Sequence, residues 1–216
     1  MAKLNISEIL FSIQGEGSRA GLPCVFVRLQ GCNLDCTWCD TIYAKKLDIK
    51  SRLMTEDEII SEIEKFKCKF VQLTGGEPLE HDINCLTGLL IDKDYTVTIE
   101  TNGSKDISKA DRRAIKIMDI KCPSSGMSEY NLFQNFDYLT NNDEIKFVIA
   151  GKNDFDYALN IVYGYNLIPK AQILFSPAFN ILKPEELAAW ILESGLNIRL
   201  QLQLHKFIWH PNKRGV

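Results

Sequence analysis

Short β-branched or apolar runs recur along the chain at residues 24–29, 70–73, 96–99, 115–120, 145–149, 172–175 and 197–202, and most of them read as strands. Helical stretches lie between them. In Thr55-Glu56-Asp57-Glu58 a capping Thr stands three residues before a Glu, and Ile59, Ile60, Ile63 and Phe66 follow on one face, which is a capping box on an amphipathic helix. Pro184 opens a stretch that runs through Trp190 to Ser194 and closes at Gly195, the asymmetry expected of helix ends. Residues 154–163 form a weaker helix candidate. Strands alternating with helices predict an α/β class with parallel pairing through right-handed crossovers.

In such sheets ligands collect at the carboxyl ends of the strands, whether the sheet is open or curled into a barrel. Three polar, glycine-bearing segments fall there. Thr74-Gly75-Gly76-Glu77-Pro78 follows the run ending at Leu73, Glu100-Thr101-Asn102-Gly103 follows Ile99, and Lys121-Cys122-Pro123-Ser124-Ser125-Gly126 follows Ile120. They are expected to converge on one mouth.

A chain of 216 residues buries roughly 70% of its unfolded surface. With no repeat, low-complexity tract or Pro/Gly/Ser linker, it reads as a single domain over 1–216. The seven cysteines are an odd number without a framework pattern, so a reducing compartment, the cytoplasm, is expected. The first eight residues are polar too early to hold a signal-peptide core, and no apolar run approaches a bilayer span. A net charge of −3 with mixed signs argues against nucleic acid, whose binding footprint is a basic patch or stripe.

The densest chemistry is Gly31-Cys32-Asn33-Leu34-Asp35-Cys36-Thr37-Trp38-Cys39-Asp40. Cluster irons are usually held by four thiolates, so a loop offering three fits an iron–sulfur cluster with one position reserved for a substrate or cofactor. Structural zinc is closed by four ligands, typically two spaced pairs, and this chain has no second pair. Cys24, Cys68, Cys85 and Cys122 stand singly beside apolar residues and read as small buried hydrophobes. His81, His205 and His210 are not at ligand spacing from the triplet. Beside it, Gly75-Gly76 lets backbone approach a ligand closely, and Glu77 adds a carboxylate able to accept from an amine.

The cysteine triplet, the Gly-Gly-Glu-Pro segment and the β/α alternation together resemble the radical S-adenosylmethionine superfamily. The resemblance implies that Cys32, Cys36 and Cys39 hold a 4Fe–4S cluster whose open iron chelates S-adenosylmethionine. It places Gly76 and Glu77 at the methionyl amine and Asn102 at the ribose, with Trp38, Asp40, Lys121 and Ser176 as further cofactor contacts. It further implies that one electron from the cluster cleaves the sulfonium and that the resulting 5′-deoxyadenosyl radical takes a hydrogen atom from substrate. The protein's share is positioning and exclusion of competing reactions.

Residues 11–17 (Phe-Ser-Ile-Gln-Gly-Glu-Gly), Phe26-Val27-Arg28, Leu204-His205-Lys206 and the tail from Asn212 to Val216 narrow this to a resemblance to the 7-carboxy-7-deazaguanine synthase family. That implies a partial TIM-like barrel with helices outside. It also implies a lyase of the 7-deazapurine, queuosine-type pathway, acting on 6-carboxy-5,6,7,8-tetrahydropterin with loss of ammonia. Its substrate contacts map onto Ile13, Gln14, Gly15, Glu16, Arg28, Thr74 and the carboxylate of Val216, and its Mg²⁺ ligand onto Thr41. The chemistry agrees: Arg28 offers a planar fork for a carboxylate, and Glu16 or Val216 would accept from the pterin's adjacent N–H donors. Magnesium prefers oxygen ligands and keeps waters. A homodimer served by flavodoxin or ferredoxin is implied as well. Where the family pattern has a Leu-Gln-Pro type segment, this chain has Phe175-Ser176-Pro177.

Two other readings stay open. An activating enzyme for a glycyl radical shares the cysteine spacing, but has no evident use for Arg28 and Glu16. A zinc-binding interaction module is the alternative outside the radical class.

Overall fold

Nine strands make one sheet in a computed structural model that describes residues 3–45, 51–211 and 213–215. They are β1 (Lys3–Ile13), β2 (Pro23–Leu29), β3 (Arg52–Thr55), β4 (Phe70–Gly75), β5 (Thr96–Thr101), β6 (Ile115–Ile120), β7 (Glu144–Ile149), β8 (Gln172–Pro177) and β9 (Arg199–Leu200). Their spatial order is β3-β1-β2-β4-β5-β6-β7-β8-β9. From β2 onward every pairing is parallel, whereas β1 runs antiparallel to both β2 and β3. This is a partial barrel closed at one edge by an antiparallel pair.

Helices α1 (Glu56–Glu64), α2 (Asn84–Asp92), α3 (Lys152–Gly164) and α4 (Pro184–Ser194) cover the outside, and a short α5 (His205–Ile208) follows β9. The capping box forms as its spacing predicts: Thr55 N donates to Glu58 Oε2 at 2.8 Å and Glu58 N to Thr55 Oγ1 at 3.3 Å. Gly195 ends α4 with φ +65°, a left-handed conformation that costs glycine little.

The apolar core lies between the outer sheet face and the helices. Val25, Val27, Leu29, Val71, Leu73, Val97 and Ile99 pack there with α1 and α2. Met118, Ile120, Ile145, Phe147, Ile173 and Phe175 pack with α3 and α4. The alternate strand positions turn inward and are mostly polar: Gln72, Thr74, Thr98, Asp119, Glu144, Lys146 and Ser176 are all buried, with Ile117 and Leu174 the apolar exceptions on β6 and β8. A closed TIM barrel fills this space with branched apolar layers; here it is left mostly to hydrogen-bonding groups.

Strands β1 and β3, helix α2 and the one-turn α5 escape the sequence reading. β1 and β3 go unread because Ile6 and Ile9 share the core side across an irregular register between Ile6 and Glu8, which breaks the period-2 signal. Helix α2 has no side-chain cap and carries Thr87 and Gly88 inside it, so it lacks the usual start signal and propensity. The run at 197–202 forms a strand only at Arg199–Leu200.

Candidate active site

The cysteine loop leaves β2 and folds back on itself. Gly31 N donates to Ala44 O at 2.7 Å, Cys32 N to Lys45 O at 3.3 Å and Cys39 N to Cys36 O at 3.3 Å. Leu34 anchors it in the interior, Lys45 pairs with Asp35, and Thr37 N donates to Ser125 O at 3.1 Å in the turn after β6. Cys32, Cys36 and Cys39 are unbridged and half-buried. Burial pushes the Cys36 and Cys39 thiols up, and the nearby Lys121 ammonium pulls both back.

Gly75 and Gly76 have a structural cause. Gly75 has φ +123°, and a Cβ there would stand 2.2 Å from Leu29 O; a Cβ on Gly76 would stand 1.7 Å from Gly31 O. The close backbone approach that the pair permits is therefore to the root of the cysteine loop. Gly76 N donates to Leu29 O at 3.1 Å and Glu77 N to Gly31 O at 2.7 Å, so the end of β4 fixes where Cys32 begins.

Glu77 is fully buried. Its carboxylate accepts from Leu79 N at 3.0 Å, Thr101 Oγ1 at 2.7 Å and Asn102 N at 2.7 Å, locking the ends of β4 and β5 together. Burial drives its pKa up against those bonds. Asn102 Nδ2 lies 3.8 Å from Cys32 Sγ and 3.1 Å from Asn33 Oδ1, so this amide sits beside the first thiol.

Inside the barrel Lys146 is the hub. Its ammonium stands 2.8 Å from Glu16 and 2.7 Å from Glu100, with Asp119 at 3.6 Å. Glu100 also accepts from Gln72 Nε2 at 2.8 Å and Thr74 Oγ1 at 3.1 Å, and Gln14 donates to Gln72. Burial opposes the charge on Lys146, but Glu100 and Glu16 outweigh it and raise its pKa well above the usual lysine value. Burial likewise opposes ionisation of Glu16, and Lys146 with Gln203 holds its carboxyl below the usual range.

The loop carrying Gln14, Gly15 and Glu16 is pinned. Gly17 N donates to Gln201 Oε1 at 2.8 Å, Ser18 N to Glu144 Oε2 at 3.1 Å and Leu204 N to Gly15 O at 2.9 Å. Gln203 Nε2 reaches Glu16 Oε1 at 2.8 Å and Asp40 Oδ2 at 3.4 Å, and Lys206 pairs with Asp40 at 3.3 Å. Thr41 Oγ1 donates to Asp40 Oδ1 at 2.9 Å. Arg28 Nε donates to Glu8 Oε1 at 2.9 Å. Trp38 is half-buried on the cysteine loop, and Ser176 is buried at the carboxyl end of β8. Ile13 ends β1 and is half-buried. Val216 lies outside the described residues.

The donor set fits an iron–sulfur cluster. Among the described residues no three His, Cys, Asp or Glu side chains are grouped to hold a single metal ion. A cubane takes one thiolate per iron, so its ligands need not meet at a point. Asp119 adds an observation of the same kind: Oδ2 faces Lys121 at 3.1 Å, while Oδ1 is buried without a partner among the described residues. A ligand hydroxyl would satisfy it.

Residues 26–163 match the family model of the radical SAM superfamily. The chain is 44% identical to a 7-carboxy-7-deazaguanine synthase of Chlorobaculum tepidum over 100% of its own length and 98% of that protein. It is 42% identical to one of Clostridium acetobutylicum, covering 98% of both. The chain belongs to the 7-carboxy-7-deazaguanine synthase family. As a member of this family and of the radical SAM superfamily, it is a lyase that uses a 4Fe–4S cluster and S-adenosylmethionine. The crystal structure of QueE from Escherichia coli has the same fold, with a TM-score of 0.80 at 23% identity over 94% of this chain and 95% of that one. Membership decides against the two other readings, the glycyl-radical activating enzyme and the zinc module.

Sequence alone passes over Gln72, Asp119, Lys146 and Gln203, and marks Lys206 only within Leu204-His205-Lys206 and Glu100 only as part of a strand end. Their signal is alternation: Gln72 with Thr74, Thr98 with Glu100, and Glu144 with Lys146 are polar at every second position of otherwise apolar strands.

Proposed function

We propose that the chain converts 6-carboxy-5,6,7,8-tetrahydropterin to 7-carboxy-7-deazaguanine with release of ammonia, and that Mg²⁺ takes part. The observation that carries this reading is the polar barrel interior next to the cysteine loop, with Lys146 between Glu16 and Glu100 and Arg28 on the neighbouring strand face. A hydrogen-bonding heterocycle with one planar pyrimidinone ring and one carboxylate matches that surface.

Cys32, Cys36 and Cys39 would hold the cluster, and when bound it supplies, with S-adenosylmethionine, the radical that begins the reaction. Gly76, Glu77, Asn102, Lys121, Ser176, Trp38 and Asp40 are assigned to the cofactor side. In this reading Glu77 acts through the backbone it fixes, since its carboxylate is already engaged. Ile13, Gln14, Gly15, Glu16 and Thr74 border the pterin. Glu16, kept ionised by Lys146, accepts from adjacent N–H donors of the ring. Arg28 uses Nε on Glu8, which leaves its terminal nitrogens for the substrate carboxylate. Thr41 offers a hydroxyl to Mg²⁺, with Asp40 beside it orienting waters. The same reading includes a homodimer, flavodoxin or ferredoxin as electron donor, and a cytoplasmic location; among the described residues no helix is long and apolar enough to cross a membrane.

The test is an anaerobic assay of the iron-reconstituted protein with the pterin, S-adenosylmethionine, a low-potential reductant and Mg²⁺. Deazaguanine product is expected. Release of 5′-deoxyadenosine without that product would overturn the substrate and leave the radical class standing.

A further inference from the structure

Glu8 sits where β1 leaves its regular pairing. Ile6 faces Leu29, yet Glu8, two residues on, faces Arg28, only one residue back along β2. Ser7 is thus the extra residue of a β-bulge, a device that re-aims a side chain. Unbroken pairing would bring Ser7 opposite Arg28 and turn Glu8 with Val27 toward the apolar core. With the bulge, Ile6 and Ile9 both pack on the outer core while Glu8 turns to the Arg28 side.

There Glu8 Oε1 accepts from Arg28 Nε at 2.9 Å and from Tyr43 Oη at 2.7 Å. Tyr43 lies in the turn Ile42–Ala44, just past Cys39 and Thr41, and its carbonyl accepts from Gln30 Nε2 at 3.1 Å. The guanidinium of Arg28 is 5.8 Å from the Tyr43 ring centre and that of Arg214 is 4.3 Å from it. Strand β1, strand β2, the cysteine loop and the C-terminal segment therefore meet at one carboxylate and one ring. With side chains 19% and 23% exposed, the Arg28–Glu8 pair adds little to stability by itself. What the contact fixes is direction, because a guanidinium presents its donors in a rigid plane.

We propose that Glu8 and Tyr43 are positioning residues: Glu8 takes the Nε edge of Arg28 so that its terminal nitrogens meet the substrate carboxylate, and the Tyr43 ring seats Arg214, tying the C-terminal segment to the cysteine loop. This rests on Arg28 being a substrate contact. Neither residue touches the reacting atoms. Their effect is on how well the pterin is held, and so on KM.

The experiment is steady-state kinetics of the reconstituted enzyme with 6-carboxy-5,6,7,8-tetrahydropterin varied, beside 5′-deoxyadenosine release measured without pterin. Glu8→Ala is expected to raise KM about tenfold with kcat within about twofold, and to leave pterin-free 5′-deoxyadenosine release unchanged. Glu8→Gln keeps an acceptor and recovers most of the loss. Tyr43→Phe raises KM less than Tyr43→Leu, because the ring remains, and adding Arg214→Ala to Tyr43→Leu changes nothing more. If Glu8→Ala does not fold, the two Tyr43 variants carry the same comparison. Unchanged KM in these variants while Arg28→Lys raises it, or a fall in kcat alone, overturns the positioning role. Unchanged KM in Arg28→Lys as well overturns the assignment of Arg28 to substrate, a separate failure.

Discussion

The Lys146 ammonium stands 2.8 Å from the Glu16 carboxylate, joining the middle of β7 to the loop that follows β1 across the inside of the barrel. Three carboxylates share this cation, since Glu100 is 2.7 Å away and Asp119 3.6 Å. Truncating one member of a buried charged group leaves the others uncompensated.

Lys146→Met should therefore cost about 3–5 kcal/mol, the range for breaking a buried pair, with loss of deazaguanine formation. Adding Glu100→Gln should return part of the stability, because it removes one of the stranded charges. Thermal unfolding of the single and double variants checks this; equal stability of Lys146→Met and the parent would show that the cation is not paired in solution.

The pH dependence follows from the same group. Glu16 has a folded pKa below its ordinary value of 4.5, so its contribution is present above pH 4.5 and is lost as pH falls through the folded value. Lys146 is raised above 10.5, so its contribution persists through neutral pH and fades only in strong alkali. Denaturant titrations of the parent and Glu16→Gln should accordingly converge as pH drops below about 4.5. A stability gap that stays constant from pH 7 to pH 3 would count against the coupling.

Gly76→Ala is expected to displace Gly31 and Cys32, because its Cβ would meet Gly31 O at 1.7 Å. The sheet should persist while iron and sulfide content after anaerobic reconstitution falls severalfold, as expected when one of three ligands is misplaced. Gly164→Ala, where a Cβ meets nothing within 4 Å, is the control and should load normally.

Thr41→Ala should weaken the stimulation by Mg²⁺ without altering cluster content, and Thr41→Ser should retain it. The Thr41 hydroxyl is bonded to Asp40 rather than spent on capping its own turn, which leaves its oxygen lone pairs for a cation. Activity measured against Mg²⁺ concentration decides; identical curves for parent and Thr41→Ala would remove Thr41 from the site.

Local signals were readable where local physics sets them. The box at Thr55 and Glu58, Pro184 with Gly195, and the runs that became β2 and β4 to β8 depend on neighbours a few residues away. β1 was not readable, because its bulge is paid for by contacts of Ile6, Ile9 and Glu8 with β2 and the core. Helix α2 is held by burial of Leu86 and Leu90 rather than by its ends.

The site divides in the same way. The cysteine spacing and the Gly75-Gly76 pair are properties of the sequence and point to the class of chemistry, whereas the alternation of Gln72, Glu100 and Lys146 is equally present there but gains its meaning only once those strands face one another. Sequence alone did not reveal that the glycine pair makes room for Gly31, that Glu77 is consumed by Leu79, Thr101 and Asn102, or that Lys146 finds Glu16. Those facts arise from curling a parallel sheet until strands distant in the chain face one another, where a buried charge is stable only beside its partners.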